Sequence, residues 1–458
     1  MAVKLTFGGG AGTVTGSKYL VNSDDRRILV DAGVFQGEKR LRELNWTPFP
    51  TAPESIDTVL ITHAHTDHVG YLPVLVRNGF HGEVLATQAT CELAEIVLRD
   101  AAFLAERDAE HAASHSYSRH QPPLPLFTAA DAERALDRMR VIDFDTEVSL
   151  GHGLAAAWTR AGHILGSASI RLGTPTGSVL FSGDLGRATH PVLRPREIPA
   201  GADVVLIEST YGDREHHEPS GPEHEPLADL IRRTAKRGGS VLIPAFAVDR
   251  TEVVLQTLTD LLHAGRIPEL PVFVNSPMAL AALRVYTSAT HADELRPDLD
   301  PRSFVDLPGL REVRSTEESI KLNDPKVPCI IISSSGMATG GRVLHHLEHM
   351  LPDDRHSVVL VGYQAEGTRG RLLADGVRSL KMHGRNVAVR AEILQDEEFS
   401  VHADRSELLD WLGALEPRPQ QVYTVHGTED SASAFAREIT VRLSIPARPA
   451  ELLETVEL

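Results

Sequence analysis

Up to about residue 210 the apolar positions fall in short runs of extended character: Lys4-Leu5-Thr6-Phe7, Ser17-Lys18-Tyr19-Leu20-Val21, Arg27-Ile28-Leu29-Val30-Asp31, residues 59–62 and Val84-Leu85-Ala86. Each is too short for a helix, and together they predict a strand-rich region, interrupted by a helical spacing over 89–106. From about Pro226 to Gly376 the rhythm changes. Wholly apolar runs at 241–244, 272–274, 330–332 and 358–361 alternate with amphipathic stretches such as 251–262. Strands buried on both faces and separated by helices predict a largely parallel α/β domain. The pattern then returns to strands at 387–392 and 422–425, with a helix over about 406–415 between them.

Composition narrows the class. With 458 residues, 42% hydrophobic and 24% charged, the chain can bury large cores and should divide into two or three domains. No apolar run approaches the ~20 residues of a membrane span, and Met1-Ala2-Val3-Lys4 leads into a strand rather than a signal peptide, so a cytoplasmic protein with no membrane partner is expected. Cys91 and Cys329 lie far apart in apolar contexts and read as buried thiols. The formal net charge of -17 argues against broad adhesion to nucleic acid, so a phosphate substrate must meet local positive charge. Residues 362–390 offer it: Arg369, Arg371, Arg378, Lys381, Arg385 and Arg390 stand against only Glu366 and Asp375.

The densest chemistry follows the apolar run ending at Ile61. Thr62-His63-Ala64-His65-Thr66-Asp67-His68 places three imidazoles and a carboxylate in six residues at a predicted strand end, which predicts a metal site and, from its size, a two-metal site. On extended chain His63 and His65 point to one side, while Asp67 and His68 follow where the chain should turn into a helix. Imidazole and carboxylate without thiolate suit zinc, with manganese or iron as alternatives. Further ligands are expected where other strand-like segments end: His163, Asp184 after Val179-Leu180-Phe181-Ser182-Gly183, and His426 after residues 422–425. Asp184 is the natural bridge, because one carboxylate can give an oxygen to each ion. The expected sets are His63, His65, His163 and Asp184 for one metal, and Asp67, His68, Asp184 and His426 for the other.

The arrangement His-x-His-x-Asp-His, then Gly-His163, Ser-Gly-Asp184 and a late His426, resembles the metallo-β-lactamase superfamily. Three segments further resemble its β-CASP branch of nucleic-acid nucleases: Ile207-Glu208-Ser209-Thr210-Tyr211, Phe399-Ser400-Val401-His402-Ala403-Asp404 and Val425-His426-Gly427, with Ser335-Gly336-Met337-Ala338-Thr339-Gly340-Gly341-Arg342 adding to the match. Residues 427–430, Gly-Thr-Glu-Asp, depart from the Gly-Glu-Pro that relatives often carry. The resemblance implies an α/β fold: a metallo-β-lactamase αββα sandwich over 1–211 and 387–458, with an inserted α/β β-CASP cap domain over 212–386. It implies a zinc-dependent ribonuclease that cleaves single-stranded RNA, with two Zn2+ or Mn2+ ions and a homodimer left open. Attack by a dimetal-bridging hydroxide is expected, with Asp67 among the catalytic groups and His402 as general acid. Glu208, at the β-CASP acidic motif, is expected to bond the far nitrogen of His402 and fix its tautomer. The products would be a 3′-hydroxyl and a 5′-phosphate. The chain's end at Leu458, soon after the His426 motif, favours internal cutting over 5′-to-3′ exonucleolysis. A DNA nuclease of the same branch and a small-molecule ester or lactone hydrolase are the alternatives.

Substrate contacts are expected at Arg250 and Arg342, where relatives place phosphate-facing groups, at Arg369 in the basic run, and at Ser335, Gly336, Ser400 and His402. Other features take structural readings. Gly8-Gly9-Gly10-Ala11-Gly12 with Gly16 predicts a hairpin with close backbone approach, since a strand follows it where a dinucleotide loop needs a helix. His345 and His349 are expected on a helix surface with no further ligand nearby. His111, His115 and His120 are expected in a loop, and His81 and His152 at the surface.

Overall fold

The computed structural model describes residues 3–23, 26–115, 123–216 and 221–458. The chain forms two compact units. The first comprises the chain up to His190, Pro195–Glu215 and His402–Leu458; the second comprises Pro191–Arg194 and His216–Val401. Among the described residues no helix is long and apolar enough to cross a membrane.

The first unit stacks two seven-stranded sheets. One runs in the order Thr455–Glu457, Lys4–Gly9, Lys18–Ser23, Arg26–Val30, Thr58–Leu60, Glu83–Thr87, Met139–Ile142; the other runs Ala447–Pro449, Gln421–Val425, Val204–Glu208, Gly177–Phe181, Ala168–Thr174, Leu154–Arg160, Val148–Gly151. Alternate residues of each strand face inward, so Phe7, Tyr19 and Val21 meet Trp158, Ile170, Phe181, Leu206 and Tyr423 in one core. Burying each of these large side chains stabilises the stack by roughly 1.5–3 kcal/mol. Phe7 packs against Tyr423 with centroids 5.1 Å apart, and Tyr19 against Phe181 at 5.9 Å.

Helices close the outer faces. Leu180, Val205, Ile207 and Val422 pack against Leu408, Trp411 and Leu412 of helix Arg405–Gly413 and Phe435 and Ile439 of helix Glu429–Leu443. Asp404 starts the first of these with a capping box closed by Glu407, and Thr428 caps the second by accepting from the Ser431 amide. The departure at residues 427–430 is thereby explained locally as a helix start. On the other side, helix Gln88–His115 lies on strands Glu83–Thr87 and Met139–Ile142. The layers are those of an αββα sandwich.

The second unit is a six-stranded, wholly parallel sheet in the order Leu310–Glu312, Val272–Val274, Ile330–Ser333, Val241–Pro244, Ser357–Val361, Glu392–Asp396. The α/β rhythm of the sequence is therefore realised. Its last strand, Glu392–Asp396, pairs with Ser357–Val361, and the chain rejoins the first unit only at His402, later than the 387 read from the pattern. Residues 387–392 are no single strand: Arg385–Ala388 forms a hairpin with Ser379–Met382.

Local differences have simple causes. The helix expected over 89–106 runs from Gln88 to His115, so exposed His111 sits on a helix and not in a loop; the His115 side chain and His120 lie outside the described residues. Strand Leu154–Arg160 opens Leu-Ala-Ala-Ala-Trp, and its alanines gave little extended signal. The glycine hairpin is present: strands Lys4–Gly9 and Lys18–Ser23 pair antiparallel, and a Cβ on Gly9 would lie 1.8 Å from the Gly16 carbonyl oxygen. Cys329 is buried, whereas Cys91 is only half-buried; neither forms a disulfide.

Candidate metal centre

Strand Thr58–Leu60 ends three residues before His63, and the segment between is fixed from both sheets. The indole of fully buried Trp158 donates to the Ile61 carbonyl at 3.1 Å, the Ala168 amide donates to the Thr62 carbonyl at 2.9 Å, and the Thr62 amide donates to Asp31 Oδ1 at 2.8 Å. The chain then enters one helical turn, Thr66–Val69, which turns Asp67 and His68 back beside His63. His63, His68, His163, Asp184 and His426 are all buried, with His65 and Asp67 half-buried at the opening.

Asp184, just past strand Gly177–Phe181, is the pivot. Its Oδ2 lies 3.6 Å from Nε2 of both His63 and His163, while its Oδ1 lies 3.5 Å from His68 Nε2 and 3.3 Å from His426 Nδ1. His65 Nδ1 stands 3.1 Å from His63 Nε2 and 3.3 Å from His163 Nε2. Asp67 Oδ2 lies 3.3 Å from His426 Nε2. The seven residues expected as ligands therefore converge in two groups, His63, His65, His163, Asp184 and Asp67, His68, His426, each with ligand atoms within 4.8 Å of one another. Asp184 offers a different oxygen to each.

These donors fit a metal. Two ligands ~2.0–2.1 Å from a zinc ion at the tetrahedral angle stand ~3.3 Å apart, the spacing of the His63, His65 and His163 nitrogens. Burial, and then the neighbouring imidazoles, push His63 and His163 well below the usual histidine range, so both rings are neutral and free to offer lone pairs. His163 Nδ1 is buried with no hydrogen-bond partner among the described residues. Burial raises Asp184 against the pull of His426 and His68; burial also opposes ionisation of Asp67, but its bond to His426 and the charge of His68 hold it well below the carboxylate range.

A residue missed in the sequence completes the arrangement. Asp31, at the end of strand Arg26–Val30, accepts from the Thr62 amide and hydroxyl and stands 2.7 Å from His68 Nδ1, leaving Nε2 toward Asp184. Burial works against a charge on His68, yet Asp184 and Asp31 push it up to about 10. A carboxylate orienting a ligand imidazole is the usual outer support of a histidine site. The signal available was Asp31 itself, an acid ending the apolar run 28–30. His426 adds strained backbone, with φ at 47°, a region costing a non-glycine residue ~1–2 kcal/mol, and its amide donates to the Gly10 carbonyl at 2.7 Å.

Beside the cluster, His402 Nδ1 lies 3.2 Å from Glu208 Oε1, and its ring stands 4.4 Å from that of His163. Glu208, fully buried at the end of strand Val204–Glu208, also accepts from the Leu185 amide at 2.7 Å. Burial opposes its ionisation, but His402 holds it below the usual range. The remaining residues singled out in the sequence lie in the second unit. Arg250 is buried beside Gly362, where a Cβ would come within 3.3 Å of its Nη1. The Arg342 guanidinium donates to Asn275 Oδ1 at 2.8 Å and to the Val313 and Arg314 carbonyls, so it braces these segments of the unit. Arg369 donates to the Lys381 and Thr339 carbonyls, and Arg371 pairs with Asp375, so the basic run is partly answered from within. Ser335 Oγ meets Thr339 Oγ1 at 2.9 Å, Gly336 lies against Phe246, and Ser400 is buried.

Comparison with known proteins agrees with this geometry. The model of the metallo-β-lactamase superfamily matches residues 11–245, that of the Beta-Casp domain 251–373, and that of the Zn-dependent metallo-hydrolase RNA specificity domain 386–448. Ribonuclease TTHA0252 of Thermus thermophilus is 38% identical over 95% of this chain and 95% of its own. Transcription termination factor FttA of Methanosarcina mazei is 31% identical over 100% of this chain and 72% of its own, and an RNase J-like protein of Methanocaldococcus jannaschii is 28% identical over 97% of each. A solved structure of a protein of unknown function from Enterococcus faecalis V583, 14% identical, covers 100% of both chains with a TM-score of 0.53, a likeness of fold alone. The sandwich, its two-sided histidine and aspartate cluster and these matches together establish that the chain belongs to the metallo-β-lactamase superfamily and carries its β-CASP domain.

Proposed function

We propose that this chain is a metal-dependent ribonuclease that cuts phosphodiester bonds of single-stranded RNA internally, leaving a 3′-hydroxyl and a 5′-phosphate. The observation that carries the reading is Asp184, whose two oxygens face two separate imidazole sets, with the Glu208–His402 pair directly alongside. On this reading His63, His65 and His163 hold one zinc ion and Asp67, His68 and His426 the other, with Asp184 shared. Bound there, the ions would supply an acidified water near neutral pH and stabilise charge on phosphoryl oxygens. Asp31 keeps His68 turned so that Nε2 is the ligand atom. Glu208 fixes His402 through Nδ1 and leaves Nε2 to protonate the departing 3′ oxygen, a transfer worth about 10²–10⁴ in rate. The likeness to ribonuclease TTHA0252 along nearly the full length of both chains supports RNA as the substrate class.

The test is zinc-loaded protein incubated with an internally labelled circular single-stranded RNA, with Asp184→Ala as control. Linearisation by the wild type alone is expected, since a circle offers no end to an exonuclease. A circle left intact while linear RNA is shortened from its 5′ end would overturn internal cutting, and inactivity on both would overturn the ribonuclease reading.

A further inference from the structure

In the second unit a small cluster contains none of the candidate catalytic residues named above. Helix Arg342–Met350 carries His345 and Glu348, three positions apart and so neighbours on one face. Facing them is His383, in the turn that joins Ser379–Met382 to Arg385–Ala388, with its backbone held at φ 45°. Its Nδ1 lies 2.9 Å from Glu348 Oε2, and its ring lies over that of His345 with centroids 4.7 Å apart and planes at 24°. One ligand atom from each of the three falls within 4.8 Å of the others, with both histidines exposed to solvent and Glu348 half-buried. No further ligand was expected near His345 and His349, because His383 is 35 residues beyond Glu348 and only the hairpin brings it back.

We propose that His345, Glu348 and His383 form a divalent transition-metal site, separate from the catalytic cluster. Two imidazole nitrogens and one carboxylate oxygen make a donor set that zinc accepts in three-ligand sites, leaving a position for water; nickel and copper accept the same donors. The three ligands come from two elements, so an ion would join them. The hairpin beside His383 is a sheet of its own, seated by Leu380, Met382 and Val387 in one buried core with Val343, Leu344 and Leu347 of the helix. Arg369 already ties it to the glycine-rich segment after Ser335, donating through Nε to the Lys381 carbonyl and through Nη1 to the Thr339 carbonyl, each at 3.2 Å. An ion at His383 would clamp the hairpin's turn to the helix that follows the same segment, adding to that packing.

The experiment uses the full chain, stripped with chelator, re-equilibrated with zinc and assayed for bound metal by plasma emission, alongside His383→Ala, Glu348→Gln and His345→Ala. His345→Ala puts a good helix former at an exposed helix position, so a folding failure cannot account for its result. Each variant is expected to hold one zinc per chain fewer than the wild type, with RNA cleavage within twofold. The same deficit should appear when His383→Ala is added to Asp184→Ala, because the two sites share no ligand. Equal zinc content in wild type and all three variants would overturn the site. So would a deficit that appears only when Asp184 is intact, because the lost ion would then belong to the catalytic cluster.

Discussion

Replacing Gly33 by alanine tests how closely the chain behind the metal motif is packed. A Cβ at this position would lie 1.5 Å from the Asp67 carbonyl oxygen, 2.0 Å from its carbon and 2.7 Å from the His68 amide nitrogen, all backbone atoms. Real Cβ contacts do not fall under 3.0 Å, so the turn carrying Asp67 and His68 must retreat by about 1.5 Å. That turn is held by the Ser17 amide on the Asp67 carbonyl at 2.9 Å and the Ala32 amide on the His68 carbonyl at 2.7 Å, and neither bond survives such a shift. Overpacking and two lost buried hydrogen bonds together should cost about 3–5 kcal/mol of stability. For the reaction, misplacing a ligand pair by more than 1 Å should lower cleavage about 10²-fold or more. The assay is initial cleavage rate and zinc content of Gly33→Ala beside Gly221→Ala, whose added Cβ meets nothing within 4 Å. The expected result is a large loss of rate and of the zinc proposed at Asp67, His68 and His426 in the first variant only. If Gly33→Ala cuts RNA within threefold of wild type with full zinc content, the packing argument is wrong.

Other outcomes follow from the same geometry. His402→Ala should keep its metal and lose about 10²–10⁴ in cleavage rate, while Asp184→Ala should lose both; a wild-type rate in His402→Ala removes the general-acid role. Asp31→Asn, which weakens the hold on His68 Nδ1, should lower zinc affinity about 10–100-fold in competition with a chromophoric chelator, and an unchanged affinity would show that Thr62 alone positions the ring. Lys18 is buried beneath the motif, its ammonium bonded to the Gly16 and Gly33 carbonyls and 4.2 Å from the Phe35 ring centre, and burial pushes its pKa down to about 7. The unfolded chain keeps that proton to about pH 10.5, so between these values the unfolded state binds more protons and stability must rise with pH. Between pH 7 and 9 the gain should be about 2 kcal/mol by urea unfolding, absent from Lys18→Met; parallel pH profiles of the two proteins would refute it.

The histidine and aspartate cluster was legible in the sequence because its pattern is local: three imidazoles and a carboxylate lie within residues 63–68, and Asp184 and His426 each follow an apolar run. The second unit was legible for a similar reason, since a parallel strand buried on both faces announces itself as an unbroken apolar run such as residues 330–332. What the sequence could not settle was which residues from distant segments meet. Asp31 touches His68 only because strands Arg26–Val30 and Thr58–Leu60 pair in parallel and end together. Arg342 was expected at phosphate from its local pattern, and the fold adds what that pattern could not show, its bonds to Asn275 and to the Val313 and Arg314 carbonyls. The 387–392 run looked like a return to the sandwich, but its continuation found a fuller partner in Ser357–Val361. Residue type and local spacing thus determined which side chains were candidates for the chemistry and which rhythm each part of the chain follows. Only the tertiary structure decided which oxygen of Asp184 faces which imidazoles and what Arg342 holds, because those depend on contacts between segments distant in sequence, whose energies no local pattern encodes.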